Sequence, residues 1–123
     1  MIENFRYFDA TDPFGEVWNV KFLWQQNAIS IRHADAVDVK FLVSSGEKSE
    51  EKVISIAHPD LLALSAKTGR PVTDAWVSRL AALHLRRMIQ SWEDMDRTVV
   101  TPHFDELLRY NAMLDERASR VAR

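Results

Sequence analysis

The positions of the histidines in this sequence could support metal binding or catalysis. Three of the four histidines, His33, His58 and His84, are predicted to face one gap between a sheet and a helix. Three imidazoles around an open position form a common zinc or iron site, so these residues are candidate metal ligands. No HxH or HExxH spacing accompanies them. The alternative is that each histidine is partly buried and bonded to a backbone carbonyl.

Large aromatic side chains form a second candidate site. A gap lined by rings between a sheet and a helix is a common place for small apolar ligands. The predicted pocket residues are Trp18, Phe22, Trp24, Phe41, His84 and Trp92. Aromatic residues at these spacings also build ordinary cores, so the alternative is a packed interior without a cavity.

Signals for other enzyme classes are weak or missing. Asp38 and Lys40 lie two apart on a predicted strand, as in a metal-dependent nuclease, but no second acid is predicted beside them. The chain has no cysteine, which excludes disulfides, thiolate catalysis and cysteine-based metal sites. Its three glycines are isolated, and no Gly-x-Ser-x-Gly segment occurs. We therefore expect no cofactor.

Charge is nearly balanced over the whole chain but unevenly distributed. The net charge of −2 argues against a dedicated nucleic-acid-binding protein, which usually carries a basic surplus. Residues 1–69 carry a net charge of −3 and residues 70–123 a net charge of +1. All nine basic residues of the second part are arginines, which suit bidentate recognition of carboxylate or phosphate. Because acids lie near them in the sequence, we expect paired arginines on a solvated surface.

Alternating apolar residues predict a sheet in the first half of the chain. The predicted strands lie at residues 17–25, 28–33, 37–43 and 52–57. A turn at Gln26–Asn27 sets Trp24 opposite Ile29 and keeps the apolar side chains on one face. The result is an antiparallel meander with one apolar face, which other elements must cover.

Two further features of the sheet follow from the same pattern. A polar loop is predicted over residues 44–51, and pairing of Phe41 with Ile56 would bring His58 to the apolar face. The segment Asn4–Phe8 could add an edge strand.

Helical spacing dominates after residue 58. Gly69 is a typical helix stop, Thr73 or Asp74 can cap the next helix, and Pro102 suits a first helical turn. The predicted helices cover Asp60–Lys67, from Thr73 or Asp74 to about Asp96, and from Thr101–Pro102 onward.

These elements predict an α+β fold in which a four-stranded antiparallel β-meander is covered on one face by two or three C-terminal helices. A length of 123 residues fits one domain, with an arm (1–15), a meander (16–58) and a helical part (59–123). The N-terminus lacks a basic start followed by an apolar run, and no stretch approaches the roughly 18–20 apolar residues of a membrane span. We expect a cytoplasmic protein without a membrane partner.

The middle helix carries more apolar surface than one sheet can cover, and Asn111 on the last helix could fix the register of a helix–helix contact. We therefore expect a non-catalytic protein-interaction or regulatory module, either a homodimer or a partner of another protein, without nucleic acid. One alternative is a domain that binds a small apolar or aromatic ligand in the sheet–helix gap. The other is a histidine–metal enzyme.

Overall fold

Residues 4–28 and 35–121 are described by the computed structural model, and they form a five-stranded sheet with three helices. In chain order the elements are β1 (Tyr7–Thr11), β2 (Val17–Ala28), β3 (Ala36–Ser45), β4 (Lys48–Ala57), α1 (His58–Thr68), α2 (Asp74–Ser91), β5 (Val99–Val100) and α3 (Phe104–Val121). The strand order is β1-β2-β3-β4-β5, with the first four antiparallel and β5 parallel to β4. The predicted α+β class is confirmed, but the sheet has five strands instead of four.

The two edge strands were the least visible in the sequence. The N-terminal arm supplies one of them at Tyr7–Thr11, slightly later than expected, with Phe8 opposite Val20. The other is the two-residue strand β5, in which Val99 pairs with Val53. Two residues are too few to show a period of two, so β5 leaves no alternation signal.

Strand β2 is longer than predicted, and the turn at Gln26–Asn27 is wrong. The strand continues to Ala28 and pairs directly with β3, as Ala28 opposite Ala36. This pairing leaves no room for a strand between them, so the meander predicted through residues 28–33 is wrong in its order. The pair Gln-Asn lacks the glycine that a two-residue hairpin turn favours. Residues 29–34 lie outside the described part of the chain, and they include all of the predicted strand 28–33 except Ala28.

A bulge in β2 reverses the predicted side of Trp24. The register against β3 shifts after Phe22, which lies opposite Phe41 on the helix-covered face, whereas Trp24 lies opposite Lys40. A shift of one residue sends each following side chain to the other face. Trp24 therefore lies on the uncovered face, where the Lys40 ammonium is 5.3 Å from its ring centroid.

The polar segment 44–51 is a tight hairpin instead of a loop. Ser45 pairs with Lys48 across a two-residue turn, and Gly46 has a φ of 59° at its first central position. This register sets Phe41 opposite Lys52 and Val39 opposite Ile54, so the predicted pairing of Phe41 with Ile56 is wrong. The start of β4 is polar and mostly exposed, which removed the apolar alternation that predicts a strand.

The helix ends follow ordinary capping chemistry. Gly69 ends α1 with a left-handed φ of 79°, and its N–H donates to the Ser65 carbonyl at 2.8 Å. The Thr73 hydroxyl caps α2 by accepting from the Trp76 N–H at 3.2 Å. The predicted extension of α2 to Asp96 is wrong, because Trp92 turns left-handed and ends the helix at Ser91.

Helix α2 lies across the sheet, and α3 packs against another side of it. It contacts strands β1 to β4 and helix α3, while α1 contacts β4 and α3. Leu80, Leu85 and Ile89 are fully buried together with Phe41 and Leu107. The broad apolar arc of the middle helix is therefore covered within one chain. In the described part of the chain, we find no helix of the length and apolarity that a membrane crossing requires.

Candidate functional site

An exposed aromatic cluster lies where α2 ends beside the β1–β2 turn. Phe14, in that turn, is 80 % exposed, and its ring centroid is 6.5 Å from that of Trp92. Trp92 in turn lies 5.6 Å from the ring of Trp18, which is buried on the covered face of the sheet. We call Phe14, Trp18 and Trp92 the aromatic end of the molecule. The exposed Phe14 ring lies against Trp92, and Trp92 lies against the buried Trp18.

The turn that carries Phe14 is fixed by Asp12. The Asp12 carboxylate accepts from the N–H groups of Phe14 at 2.8 Å and Glu16 at 3.0 Å, and from Trp18 Nε1 at 3.1 Å. Gly15 supplies the positive φ of 91° that the turn requires. Although burial acts to raise the pKa of Asp12, these N–H donors hold it below its usual value. Phe14 is therefore exposed on a rigid turn.

The other side of the aromatic end is fixed by a buried lysine. Lys52 is 2 % exposed, and its ammonium donates to the carbonyl oxygens of Met95 at 2.7 Å and Arg97 at 2.8 Å. These carbonyls belong to the turn that follows Trp92, in which Asp94 also has a left-handed φ of 60°. Lys52 therefore ties the turn that follows Trp92 to β4.

Charges of both signs border the aromatic end. Lys48 and Glu16 form an ion pair at 2.6 Å, and the Lys48 ammonium lies 5.2 Å from the ring centroid of Trp18. The Ser45 hydroxyl donates to Glu16 at 3.0 Å. Lys48 and Ser45 hold the pKa of Glu16 below its usual value.

A separate polar network surrounds His84 between α2 and α3. His84 Nδ1 lies 2.8 Å from the Tyr110 hydroxyl and 3.6 Å from a Glu106 oxygen, and Arg87 pairs with the same carboxylate. These residues adjoin an open cleft of about 520 Å³, which is bordered by His84, Arg87 and Glu106. His84 Nε2 is buried and has no hydrogen-bond partner among the described residues.

Burial controls the ionisation of this network. It lowers the pKa of His84 below its usual value, against the opposing attraction of Glu106. Burial also raises the pKa of Tyr110. For Glu106, burial acts to raise the pKa, but the His103 N–H, His84 and Arg87 outweigh it and lower the value. The network therefore holds a neutral imidazole beside an ionised carboxylate at neutral pH.

The predicted aromatic pocket is divided by the structure. Trp18, Phe22 and Phe41 lie on the covered face of the sheet, and Phe22 is 6.1 Å from Phe41. Trp24 lies on the opposite face, which corrects its assignment to the pocket, because of the bulge in β2. His84 borders the polar cleft, and Trp92 contacts Trp18 at the aromatic end. That a small ligand binds in the gap between the sheet and the helices stays a prediction.

Of the predicted metal ligands, His58 and His84 lie in the described part of the chain, and the site of three histidines stays a prediction. His58 is the first residue of α1, its N–H donates to the Asp35 carbonyl, and His84 lies in the middle of α2. His33 lies outside the described residues. Within residues 4–28 and 35–121, no group of three or more histidine, aspartate or glutamate side chains is arranged to hold a metal ion.

Sequence reasoning missed Phe14 and the residues that position it. The segment Asp12-Pro-Phe-Gly contains turn residues around one aromatic residue, and this combination was the available signal. Lys52 was missed because a lysine at an inward strand position goes against the usual exposure of this residue type.

Comparison of the chain with protein-family models, with curated proteins and with solved structures gave no match. Its function must therefore be inferred from its own residues.

Proposed function

We propose that the chain is a non-catalytic interaction module that self-associates, and that two copies meet through the aromatic end. The observation that carries this proposal is the 80 % exposure of Phe14 on a turn that is fixed by three hydrogen bonds. Aromatic residues are enriched at the centres of protein interfaces, where each contributes a large contact area. The sequence led us to expect self-association through surplus apolar surface on the middle helix. Because that surface is buried within the chain, the aromatic end supports the proposal instead.

Rigidity favours binding through this surface. A side chain that is already held in one place loses little conformational entropy when a partner covers it. The backbone on both sides of Phe14 is bonded to Asp12, and its ring rests edge-on against Trp92. Association would therefore bury the Phe14 ring without ordering a mobile loop.

The border of the aromatic end suits a second copy of the same chain. A two-fold contact brings the same surface from both subunits together, so an acid and a base in one patch can pair across the axis. Glu16 and Lys48 provide both signs beside Trp18, with exposed side-chain fractions of 37 % and 62 %. A partner surface of one charge sign could pair with only one of these two residues.

Replacement of Phe14 tests the proposal. We expect sedimentation or light scattering of the wild-type chain to show a concentration-dependent dimer. In the Phe14→Ser variant, the dissociation constant should rise by roughly 1000-fold, because a central aromatic residue contributes about 2 kcal/mol and each of the two subunits loses one. Leu62→Ser, on α1, is a matched control because Leu62 is 54 % exposed and lies in another element.

A wild-type chain that stays monomeric at every soluble concentration would contradict the proposal. So would equal weakening by Leu62→Ser and Phe14→Ser, because this result would place no special contact at the aromatic end. Circular dichroism and urea unfolding of each variant ensure that the comparison is made on folded chains.

A further inference from the structure

One face of α2 and one face of α3 meet around a small cavity. Residues three or four apart on a helix share a face, and the residues that line the cavity have this spacing. Among them are Leu83, Arg86 and Arg87 from α2 and Arg109, Tyr110 and Met113 from α3. The cavity has a volume of about 190 Å³, and we call it the basic pocket.

Two of the three arginines in the basic pocket carry a charge that no acid neutralises in the described part of the chain. Neither Arg86 nor Arg109 forms an ion pair there, and no acidic residue is among the described residues that line the pocket. Arg87 differs, because it pairs with Glu106. The expectation that the arginines of the helical part are paired is therefore wrong for Arg86 and Arg109, and the pocket has a surplus of two positive charges.

The guanidinium of Arg86 lacks an acceptor where it is covered by protein. Its Nη1 atom is buried and has no hydrogen-bond partner among the described residues. Nearly all buried donors in proteins have an acceptor, so a buried charged donor without one is an exception that needs a cause. An oxygen atom supplied by a ligand would satisfy this guanidinium and neutralise its charge.

The apolar part of the lining strengthens ionic contacts. Leu83 and Tyr110 are buried, and the Tyr110 hydroxyl is held 2.8 Å from His84 Nδ1. Charges attract more strongly beside buried apolar groups than in bulk water. Burial raises the pKa of Tyr110, and the charges of Arg87 and Arg109 act against this increase, so their positive potential reaches the lining.

The size of the basic pocket limits what it can hold. Sites for whole organic ligands usually have volumes of about 300–1,000 Å³, and this pocket is smaller. It is large enough for one charged group. A phosphomonoester group carries a charge of about −1.5 to −2 at neutral pH, which matches two unpaired guanidinium groups. A carboxylate would neutralise only one of them.

We propose that the basic pocket binds a phosphate group, either as free phosphate or as the end of a small phosphomonoester. Arg86 and Arg109 donate to the phosphate oxygens, because a guanidinium presents N–H groups in a planar fork that fits them. This site is separate from self-association, since none of its lining residues belongs to the aromatic end.

Calorimetric titration of the full chain with three probes tests the site and its chemistry. Inorganic phosphate and phenyl phosphate carry nearly two charges, whereas benzoate has the ring of phenyl phosphate with only one charge. We expect at least one phosphate probe to bind roughly tenfold more tightly than benzoate, and binding should weaken as salt is added. Tighter binding of phenyl phosphate than of inorganic phosphate identifies a phosphomonoester as the ligand, and the reverse order identifies free phosphate.

Substitutions locate the site. Arg86→Met and Arg109→Met should each reduce the affinity for phosphate by about tenfold or more, the usual effect of a lost charged hydrogen bond. Arg86→Lys should recover only part of this loss, since lysine keeps the charge without the planar fork. Arg79→Met is the matched control, because Arg79 is an exposed arginine of the same helix that lines other cavities. It should bind the probes as the wild type does.

Two results would overturn the proposal. One is that neither phosphate probe binds more tightly than benzoate. The other is that Arg86→Met and Arg109→Met, folded by circular dichroism, bind phosphate as tightly as Arg79→Met. Because Arg109 is exposed, its replacement tests the site even if Arg86→Met does not fold.

Discussion

A buried imidazole makes the folded state of this protein sensitive to acid. His84 is 5 % exposed, and burial lowers its pKa below the usual value. The unfolded chain therefore binds a proton at a higher pH than the folded chain does. This difference stabilises the fold fully above the unfolded pKa, near 6.5, and the stabilisation is lost as the pH falls through the lower folded value.

Urea unfolding between pH 7.5 and pH 5 measures this effect. The free energy of unfolding should fall more steeply with decreasing pH in the wild type than in His84→Phe, which cannot titrate at this position. His103→Gln is the matched control, since His103 is exposed at the start of α3. Parallel curves for the wild type and His84→Phe would contradict the assignment.

The positions of some single side chains could be predicted from the sequence, and the positions of others could not. The alternation of β2 placed Trp18 and Phe22 correctly, but the bulge after Phe22 has no mark in the pattern and reverses Trp24. Arg86 and Arg109 lie on different helices. Only the packing of α2 against α3 brings them to one cavity, so no local pattern could pair them.

Among the elements, α1 offers the cleanest test of a helix end. Gly69 has φ 79° and ψ 3°, and an added Cβ would meet no atom within 4 Å. A substitution there changes backbone strain without a clash. Gly69→Ala should destabilise the fold by about 1 kcal/mol, and Gly69→Asn by less, because asparagine tolerates the left-handed conformation better than alanine.

The stabilities of the two variants are compared through the urea concentration at the midpoint of unfolding, with the m-value unchanged between them. Equal losses for alanine and asparagine would show that the left-handed backbone is not the source of the cost.

Elements with strong periodic patterns were predictable, and elements without them were not. Gly69 was correctly predicted to end α1, and Thr73 was one of the two predicted caps of α2, because capping depends on one side chain or one φ angle. The hairpin at Gly46 was missed because β4 begins with charged residues. The end of α2 was missed because Trp92 is an unusual residue for a left-handed position.

For the whole molecule, the central position of α2 sets where the structure is most protected. Residues 80–85 are all buried, between the sheet on one side and α3 on the other. Their amides should open only when the whole domain unfolds. Hydrogen-exchange mass spectrometry should find α2 the slowest region, and the edge strand β1, with its alternate residues exposed, much faster. Exchange of α2 at the rate of β1 would contradict this arrangement.

The order of the sheet also bears on how quickly the chain can find its fold. Each of the first four strands pairs with its neighbour in the chain, so these contacts close only short loops. Short closures lose little entropy, and chains rich in local contacts cross their folding barrier fast. The exception is the parallel pairing of β5 with β4, which must wait for the chain of α1 and α2 to cross over. We expect β5 to be the last strand of the sheet to pair during folding.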